Sequence, residues 1–96
     1  MKLHLEFSPP FNEVTKNLFK TFEFDKELTL KELLEFFHDK YGQEFTDLVW
    51  EKGKKGYFNK LLSLIINGHS YRHDKFLDTV LKDGDQIVFI YIYFGG

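Results

Sequence analysis

The stretch TLKELLEFFHDKYG, residues 29–42, predicts the main helix of the chain and decides how the other elements can be arranged. Thr29 can cap its N-terminus, because Glu32 follows three residues later and can reach back to the cap. Gly42 follows as a left-handed stop. The apolar residues of the segment recur at helical spacing on one side: Leu30, Leu33, Leu34, Phe37 and Tyr41. A helix with one apolar stripe packs on one face of a sheet.

Two strands are predicted before this helix. KLHLEF, residues 2–7, alternates apolar and polar side chains, and its apolar set is Leu3, Leu5 and Phe7. After a polar loop, LFKTFEF, residues 18–24, alternates again with Phe22 and Phe24 on one face. A period of two residues is the pattern of a half-buried strand, and the short connection favours an antiparallel hairpin.

Two more strands are predicted after residue 60. LLSLII, residues 61–66, is a nearly continuous apolar run, and HSYRH, residues 69–73, is a brief returning strand. The Asn67–Gly68 pair between them is the preferred sequence of a type I′ hairpin turn.

The last strand is predicted over QIVFIYIY, residues 86–93, after an Asp-Gly turn at Asp83 and Gly84. Residues 43–60 have no clear period, and we expect a helical turn near residues 47–50 followed by a loop.

These elements predict an α+β fold of the β-grasp, or ubiquitin-like, type. A mixed sheet of about five strands wraps around one main helix, because the helix crossover after an N-terminal hairpin places the last strand beside the first and parallel to it. We expect one domain over residues 1–94 and a flexible Gly-Gly tail at residues 95–96.

Composition excludes several classes of function. With 43% hydrophobic and 19% aromatic residues, a chain of 96 residues can form one core. It has no cysteine, and its net charge of −2 offers no basic surface to nucleic acid or to an acidic membrane. The longest apolar run is far shorter than the ~20 residues of a membrane span, and no signal region precedes the first strand, so we expect a cytoplasmic protein.

The C-terminal half resembles the MoaD/ThiS sulfur carriers. The resemblance rests on LIINGHSYRH, residues 64–73, and on FLDTVLKDGDQIVFIYIYFGG, residues 76–96, in which the two turns, the apolar strand and the terminal Gly-Gly follow in matching order. It extends more weakly over the first two strands and the helix, whereas residues 43–60 match poorly.

This resemblance implies a function for the tail. In the family an ATP-using, ubiquitin-activating-type enzyme adenylates the terminal carboxylate, and a persulfide donor then displaces AMP to leave a thiocarboxylate. Gly96 would carry this group and Gly95 would give it reach, since glycine has no Cβ and adopts angles closed to other residues. The protein would be a carrier, with no bound cofactor, and catalysis would belong to partners such as the large subunit of molybdopterin synthase.

One departure leaves the pathway open. MoaD proteins usually carry two prolines shortly before the glycines, whereas Phe94 and its neighbours here include none. In this respect the chain is similar to the ubiquitin-related modifiers, which supply sulfur for tRNA thiolation or are conjugated to lysines. A third hypothesis is a ubiquitin-like interaction domain with no activated terminus.

The last strand also predicts a docking surface. Ile87, Phe89 and Tyr91 lie on one face and Val88, Ile90 and Ile92 on the other. If the first set packs under the helix, the second set, continued by Phe94, is an apolar patch on the open face of the sheet. The resemblance implies that Ile90 contacts the partner enzyme. The alternative is that residues 43–60 cover this face.

Other constellations have simpler explanations. His69 and His73 are four residues apart, but on a strand this spacing does not bring two ligands together as a helix would, so we predict no metal site. Asp83 and Asp85 flank Gly84 and are better explained by turn formation than by catalysis. The basic segment KGKKG, residues 52–56, lies near aromatic residues, but on an acidic protein it indicates a solvated loop that could attract an acidic partner enzyme.

Overall fold

A computed structural model describes residues 1–52, 54–70 and 75–92 of the chain. The strands within these residues are β1 (Lys2–Phe7), β2 (Phe19–Glu23), β3 (Trp50–Glu51), β4 (Lys54–Phe58), β5 (Leu62–Ile66), β6 (His69–Ser70) and β7 (Gln86–Tyr91). The helices are α1 (Phe11–Thr15), α2 (Leu30–Tyr41) and α3 (Gln43–Val49), and a 3₁₀ turn spans Phe76–Asp78.

Five strands form one mixed sheet in the order β2-β1-β7-β5-β6, and β3 pairs with β4 in a separate antiparallel ribbon. β7 lies between β1, to which it is parallel, and β5, to which it is antiparallel. The register places Phe89 beside Phe7 on one side and beside Leu64 on the other. This arrangement confirms the β-grasp prediction, including the central, parallel position of the last strand.

Helix α2 begins and ends where the sequence predicts. Thr29 and Glu32 form a reciprocal capping box, in which the Glu32 N–H donates to Thr29 Oγ1 at 3.2 Å and the Thr29 N–H donates to Glu32 Oε1 at 3.0 Å. These hydrogen bonds hold the pKa of the Glu32 carboxyl below its usual value, the backbone N–H having the larger effect. Gly42 ends the helix with φ of 85°, in the region that favours glycine, but its ψ of −170° differs from the predicted left-handed helical stop, and the same residue precedes the first residue of α3.

The core fills the space between α2 and one face of the sheet. This inner face carries the alternating apolar residues of β1, β5 and β7, and all of them are buried: Leu3, Leu5, Phe7, Leu62, Leu64, Ile66, Ile87 and Phe89. Phe37 of α2 packs over the middle of this face, with ring centroids 5.6 Å from Phe7 and 5.9 Å from Phe89. Edge-to-face packing of this kind adds to the free energy gained from burial of the rings.

The two predicted turns are confirmed. Asn67 and Gly68 have φ of 51° and 84°, as a type I′ turn requires at both central positions. The Lys2 N–H donates to Asp83 Oδ1 at 2.7 Å, and the Lys82 N–H donates to Asp85 Oδ2 at 2.8 Å. Both carboxylates thus accept backbone hydrogen bonds around the turn, which accounts for the Asp pair without catalysis.

Two segments differ from the sequence prediction. The connection between β1 and β2 is not only a polar loop, because it contains α1, whose first residue, Phe11, is completely buried. Residues 43–60 are not a helical turn and a loop either, since they form α3, β3 and β4. Strand β6 covers the first two residues of the predicted 69–73 strand, and residues 71–73 lie outside the described part.

Within the described residues, no helix combines the length and the apolar character needed to cross a bilayer.

Candidate functional site

The two faces of β7 differ as the sequence predicts. Ile87 and Phe89 are completely buried on the inner face, whereas Val88 and Ile90 on the other face are half-buried. Ile92 follows the strand and is 40% exposed. The alternation therefore places three aliphatic residues of the predicted docking set on the face that points away from α2.

The strands on both sides of β7 extend this patch. Ile65 of β5 lies beside Val88, and Ser63 lies beside Ile90. On the other side, Glu6 of β1 lies beside Val88. The centre of the open face is thus aliphatic and its β1 side carries a carboxylate, an arrangement that suits a partner surface with apolar and basic groups.

Residues 43–60 do not cover this patch in the part that the structure describes. Phe45 of α3 is buried on the inner side, with its ring centroid 5.2 Å from Phe37 and 5.5 Å from Phe89. The ribbon that follows is joined to the same side, because Phe58 packs at 4.2 Å from Phe76. The alternative in which this segment covers the open face is therefore wrong for the described residues.

The end of β7 is fixed from three directions. The Ile92 N–H donates to the Leu61 carbonyl at 2.8 Å, and the Ser8 N–H donates to the Phe89 carbonyl at 3.0 Å. The Tyr91 hydroxyl donates to the Leu48 carbonyl of α3 and accepts from Asn59 Nδ2 at 3.2 Å. Any group carried by the residues that follow is thus joined to a well-anchored strand.

Three of the predicted site residues lie outside the described part of the chain. These are Phe94 of the docking set and the two glycines of the tail, Gly95 and Gly96. The described structure ends at Ile92, and the roles of these three residues stay a prediction.

The open face also carries an exposed aromatic residue that the predicted docking set did not include. Phe19 of β2 is 71% exposed and lies beside Glu6 on the open face. The preceding Leu18 is 51% exposed. The alternation of residues 18–24 places Phe19 on the other face of the strand from Phe22, which is buried. The sequence pattern could therefore have assigned Phe19 to the open face.

A groove of about 980 Å³ lies on the other side of the molecule, between α2, α3 and the β3–β4 ribbon. Lysines of the ribbon line one wall, and carboxylates of the helices, among them Glu35, Asp39 and Asp47, line the other. Its charged lining makes the groove chemically different from the aliphatic patch on the open face.

Among the described residues, no group of three His, Asp or Glu side chains is placed to hold a metal ion. His69 lies on β6, and His73 belongs to the undescribed residues.

Comparison with known proteins gives one family match. The model of the ThiS family matches residues 10–96, which is most of the chain and includes both tail glycines. A search of curated proteins found no match.

Solved structures share the fold. The chain is similar to small archaeal modifier protein 1 from Methanosarcina acetivorans, with a TM-score of 0.74 and 22% identity over 99% of this chain and 96% of that one. It is similar to CysO from Mycobacterium tuberculosis, with a TM-score of 0.76 and 15% identity over 95% and 99% of the two chains. A complex of subunits 1 and 2 of the molybdopterin-converting factor from Helicobacter pylori matches with a TM-score of 0.61 and 24% identity over 100% of both chains.

Proposed function

Because the chain belongs to the ThiS family of ubiquitin-like sulfur carriers and modifiers, we propose that it carries sulfur on the carboxylate of Gly96. The observation that supports this most directly is that the family match continues through Gly95 and Gly96. The protein would then act as a co-substrate of other enzymes and have no catalytic site of its own.

The proposed chemistry begins with activation of a poor electrophile. A carboxylate resists attack because its negative charge repels nucleophiles. An adenylating enzyme would join the Gly96 carboxylate to AMP with release of pyrophosphate from ATP. The terminal sulfur of a persulfide donor would then displace AMP and form an acyl disulfide with the Gly96 carbonyl. A second thiol of the donor enzyme would attack the donor cysteine of this disulfide, forming a disulfide within the donor and leaving a thiocarboxylate for an acceptor enzyme. ATP is needed by the activating enzyme, and the carrier needs no cofactor of its own.

Separate roles for the tail and the sheet are supported by the way in which the end of β7 is held. β7 is anchored at its end by Leu61 and by the Tyr91 hydroxyl, and Val88 and Ile90 are half-exposed beside that end. We propose that Val88, Ile90 and Ile92, with Phe94, bind the enzyme while the glycines enter its active site. An acceptor such as the large subunit of molybdopterin synthase would use the same face.

Mass spectrometry of the intact protein tests this function. The protein is incubated with ATP, a sulfur source and the adenylating enzyme of its own organism. We expect one oxygen of the C-terminal carboxylate to be replaced by one sulfur. No exchange with an enzyme that is active on another carrier would contradict the proposal.

Variants of the two ends provide the matched control. Deletion of Gly96, or a tag after it, should abolish the exchange and change the free energy of unfolding by less than about 1 kcal/mol, because the tail is not part of the core. A tag before Met1 should leave the exchange intact, because β1 and β7 are parallel and Met1 lies at the opposite end of the sheet from the tail. Loss of exchange with the N-terminal tag alone would contradict this geometry.

A modifier is the second candidate. It is favoured by the sequence before the tail, where Phe94 and its neighbours contain no proline pair. In this case the activated Gly96 would supply sulfur for tRNA thiolation, or would form an amide with lysines of other proteins. Gly96-dependent conjugates on a denaturing gel, or loss of thiolated tRNA in a deletion strain, would distinguish it from a carrier for molybdopterin synthesis. An interaction domain would give neither product and no activation.

A further inference from the structure

The β3–β4 ribbon concentrates positive charge on an acidic protein. Residues 51–60 contain four lysines and one carboxylate, whereas the whole chain has a net charge of −2. Lys52, Lys54 and Lys55 are exposed. Within the described residues, no ion pair joins these three lysines to a carboxylate. Their charge is therefore available to a partner.

The ribbon is held in a defined position, although a two-stranded ribbon alone is marginally stable in water. The ring of Trp50 stacks on Phe58 at 4.9 Å, and Phe58 contacts Phe76 at 4.2 Å. At the base of the ribbon, the Asn59 N–H donates to the Val49 carbonyl at 2.8 Å. Lys54 and Lys55 thus belong to an anchored strand, and Lys52 lies in the turn that follows β3.

The base of the ribbon adjoins the end of β7. Asn59, the residue after β4, donates through Nδ2 to the Tyr91 hydroxyl at 3.2 Å. Two residues later, the Leu61 carbonyl accepts from the Ile92 N–H at 2.8 Å. An enzyme that takes up the residues following Ile92 therefore approaches the molecule beside the base of the ribbon. Lys54 and Lys55 lie four to five residues from Asn59 along β4, on the order of 15 Å away, so a protein surface of ordinary size can reach both places.

Together these observations indicate a second contact with that enzyme. We propose that Lys52, Lys54 and Lys55 bind a patch of Asp and Glu side chains on the adenylating enzyme, so that the ribbon guides the tail into its active site. This inference rests on the proposed activation of Gly96, and it specifies that the contact surface of the activating enzyme is acidic. Complementary charges mainly raise association rates, and salt weakens their effect.

Charge reversal in the ribbon tests the inference. The variant carries Lys54→Glu and Lys55→Glu, and the matched control carries Lys26→Glu and Lys82→Glu, which change the net charge equally. Lys26 and Lys82 lie at the end of the sheet where β7 begins, since the Leu81 N–H donates to the Leu28 carbonyl there. A strand of six residues, at about 3.3 Å per residue, separates them from the tail by roughly 20 Å.

The assay is ATP–pyrophosphate exchange by the adenylating enzyme of the same organism. At low ionic strength we expect the ribbon variant to raise KM for the carrier about tenfold with kcat within about twofold, and the control to stay within about twofold in both. The difference should shrink in about 0.5 M NaCl, where charges at the surface are screened. Amide NMR spectra of both variants verify the fold.

Each other outcome has a definite meaning. Equal KM values for the ribbon variant and the control would overturn the inference. The lysines would then be better explained as charges that prevent the edges of the ribbon from pairing with strands of other chains. A loss that persists in high salt would overturn it as well. If the reversal disturbs the NMR spectrum, Lys54→Gln with Lys55→Gln takes its place and should raise KM about threefold. No exchange with the unmodified protein would refute the proposed function itself, and this inference with it.

Discussion

The two faces of β7 present neighbouring residues to opposite environments. Phe89 is completely buried among aromatic rings, whereas Ile90, the next residue, is half-buried on the face that no described helix covers. Both are large and apolar, so hydrophobicity alone does not separate them. What separates them is the side of the sheet on which α2 and α3 pack.

Under the proposed function, this difference means that one strand serves stability through its inner face and binding through its outer face. The inner residues hold β7 in the middle of the sheet, and the outer residues are then presented at fixed positions beside the tail. Substitutions on the two faces should accordingly affect different measurements.

The largest effect on stability is expected at Phe89. Phe89→Ala removes a ring that contacts Phe7, Phe11, Phe37 and Phe45, and it should lower the free energy of unfolding by about 3–5 kcal/mol. Urea denaturation followed by circular dichroism measures this. Phe89→Leu, which keeps most of the volume, should cost clearly less. A cost for the alanine variant below about 1 kcal/mol would show that the inner face is not the stabilising one.

At Ile90 we expect a large effect on partner binding and a small effect on the free energy of unfolding. Ile90→Glu places a charge in the aliphatic patch and should weaken binding to the adenylating enzyme at least about tenfold, as at an interface hot spot, with stability within about 1 kcal/mol. Titration calorimetry with that enzyme measures the affinity. The control is Gln86→Glu, which adds the same charge to the same face where β7 begins. Unfolding of the Ile90 variant would mean that this residue belongs to the core.

The smallest effect concerns the helix that covers the inner face. The pKa of Glu32 is lowered in the folded state, so its carboxylate contributes stability above the unfolded pKa of 4.5, and this contribution is lost as the pH falls through the lower, folded pKa. Glu32→Gln keeps an acceptor for the cap and removes the charge. We expect a slightly lower melting temperature than the wild type at neutral pH.

That difference should shrink as the pH is lowered below 4.5, and it should vanish at an acidic pH at which the Glu32 carboxyl is protonated in the folded protein as well. Glu35→Gln, an exposed change in the same helix, serves as the control. If the difference between Glu32→Gln and the wild type were the same at both pH values, the lowered pKa would not contribute to stability.

The sequence predicted the elements whose signals are local. The capping box at Thr29 and Glu32 lies within one helical turn, and the Asn67–Gly68 turn is specified by two residues. The period of β1 and β7 correctly assigned every described side chain of these strands to the inner or the open face. The position of β7 in the centre of the sheet, parallel to β1, followed from the helix crossover after the N-terminal hairpin.

The remaining elements depend on contacts between distant residues. Helix α1 has five residues, too few to show a helical period, and its Phe11 is buried through contacts with Phe45 and Phe89. The β3–β4 ribbon requires Phe58 to pack on Phe76, which a local pattern cannot reveal. For the same reason the sequence revealed the lysines of the ribbon and gave no indication that the base of the ribbon is joined to the end of β7.

The central position of β7 also determines how the protein responds to a pull on its tail. A force applied beyond Ile92 acts along the strand and loads its hydrogen bonds to β1 and β5 in shear. Bonds loaded in shear share the force and must break together, whereas an edge strand peeled from one end would lose its bonds one at a time. A pull on the chain after Ile92 would therefore meet the combined resistance of both hydrogen-bonded neighbours of β7 before the strand separates from the sheet.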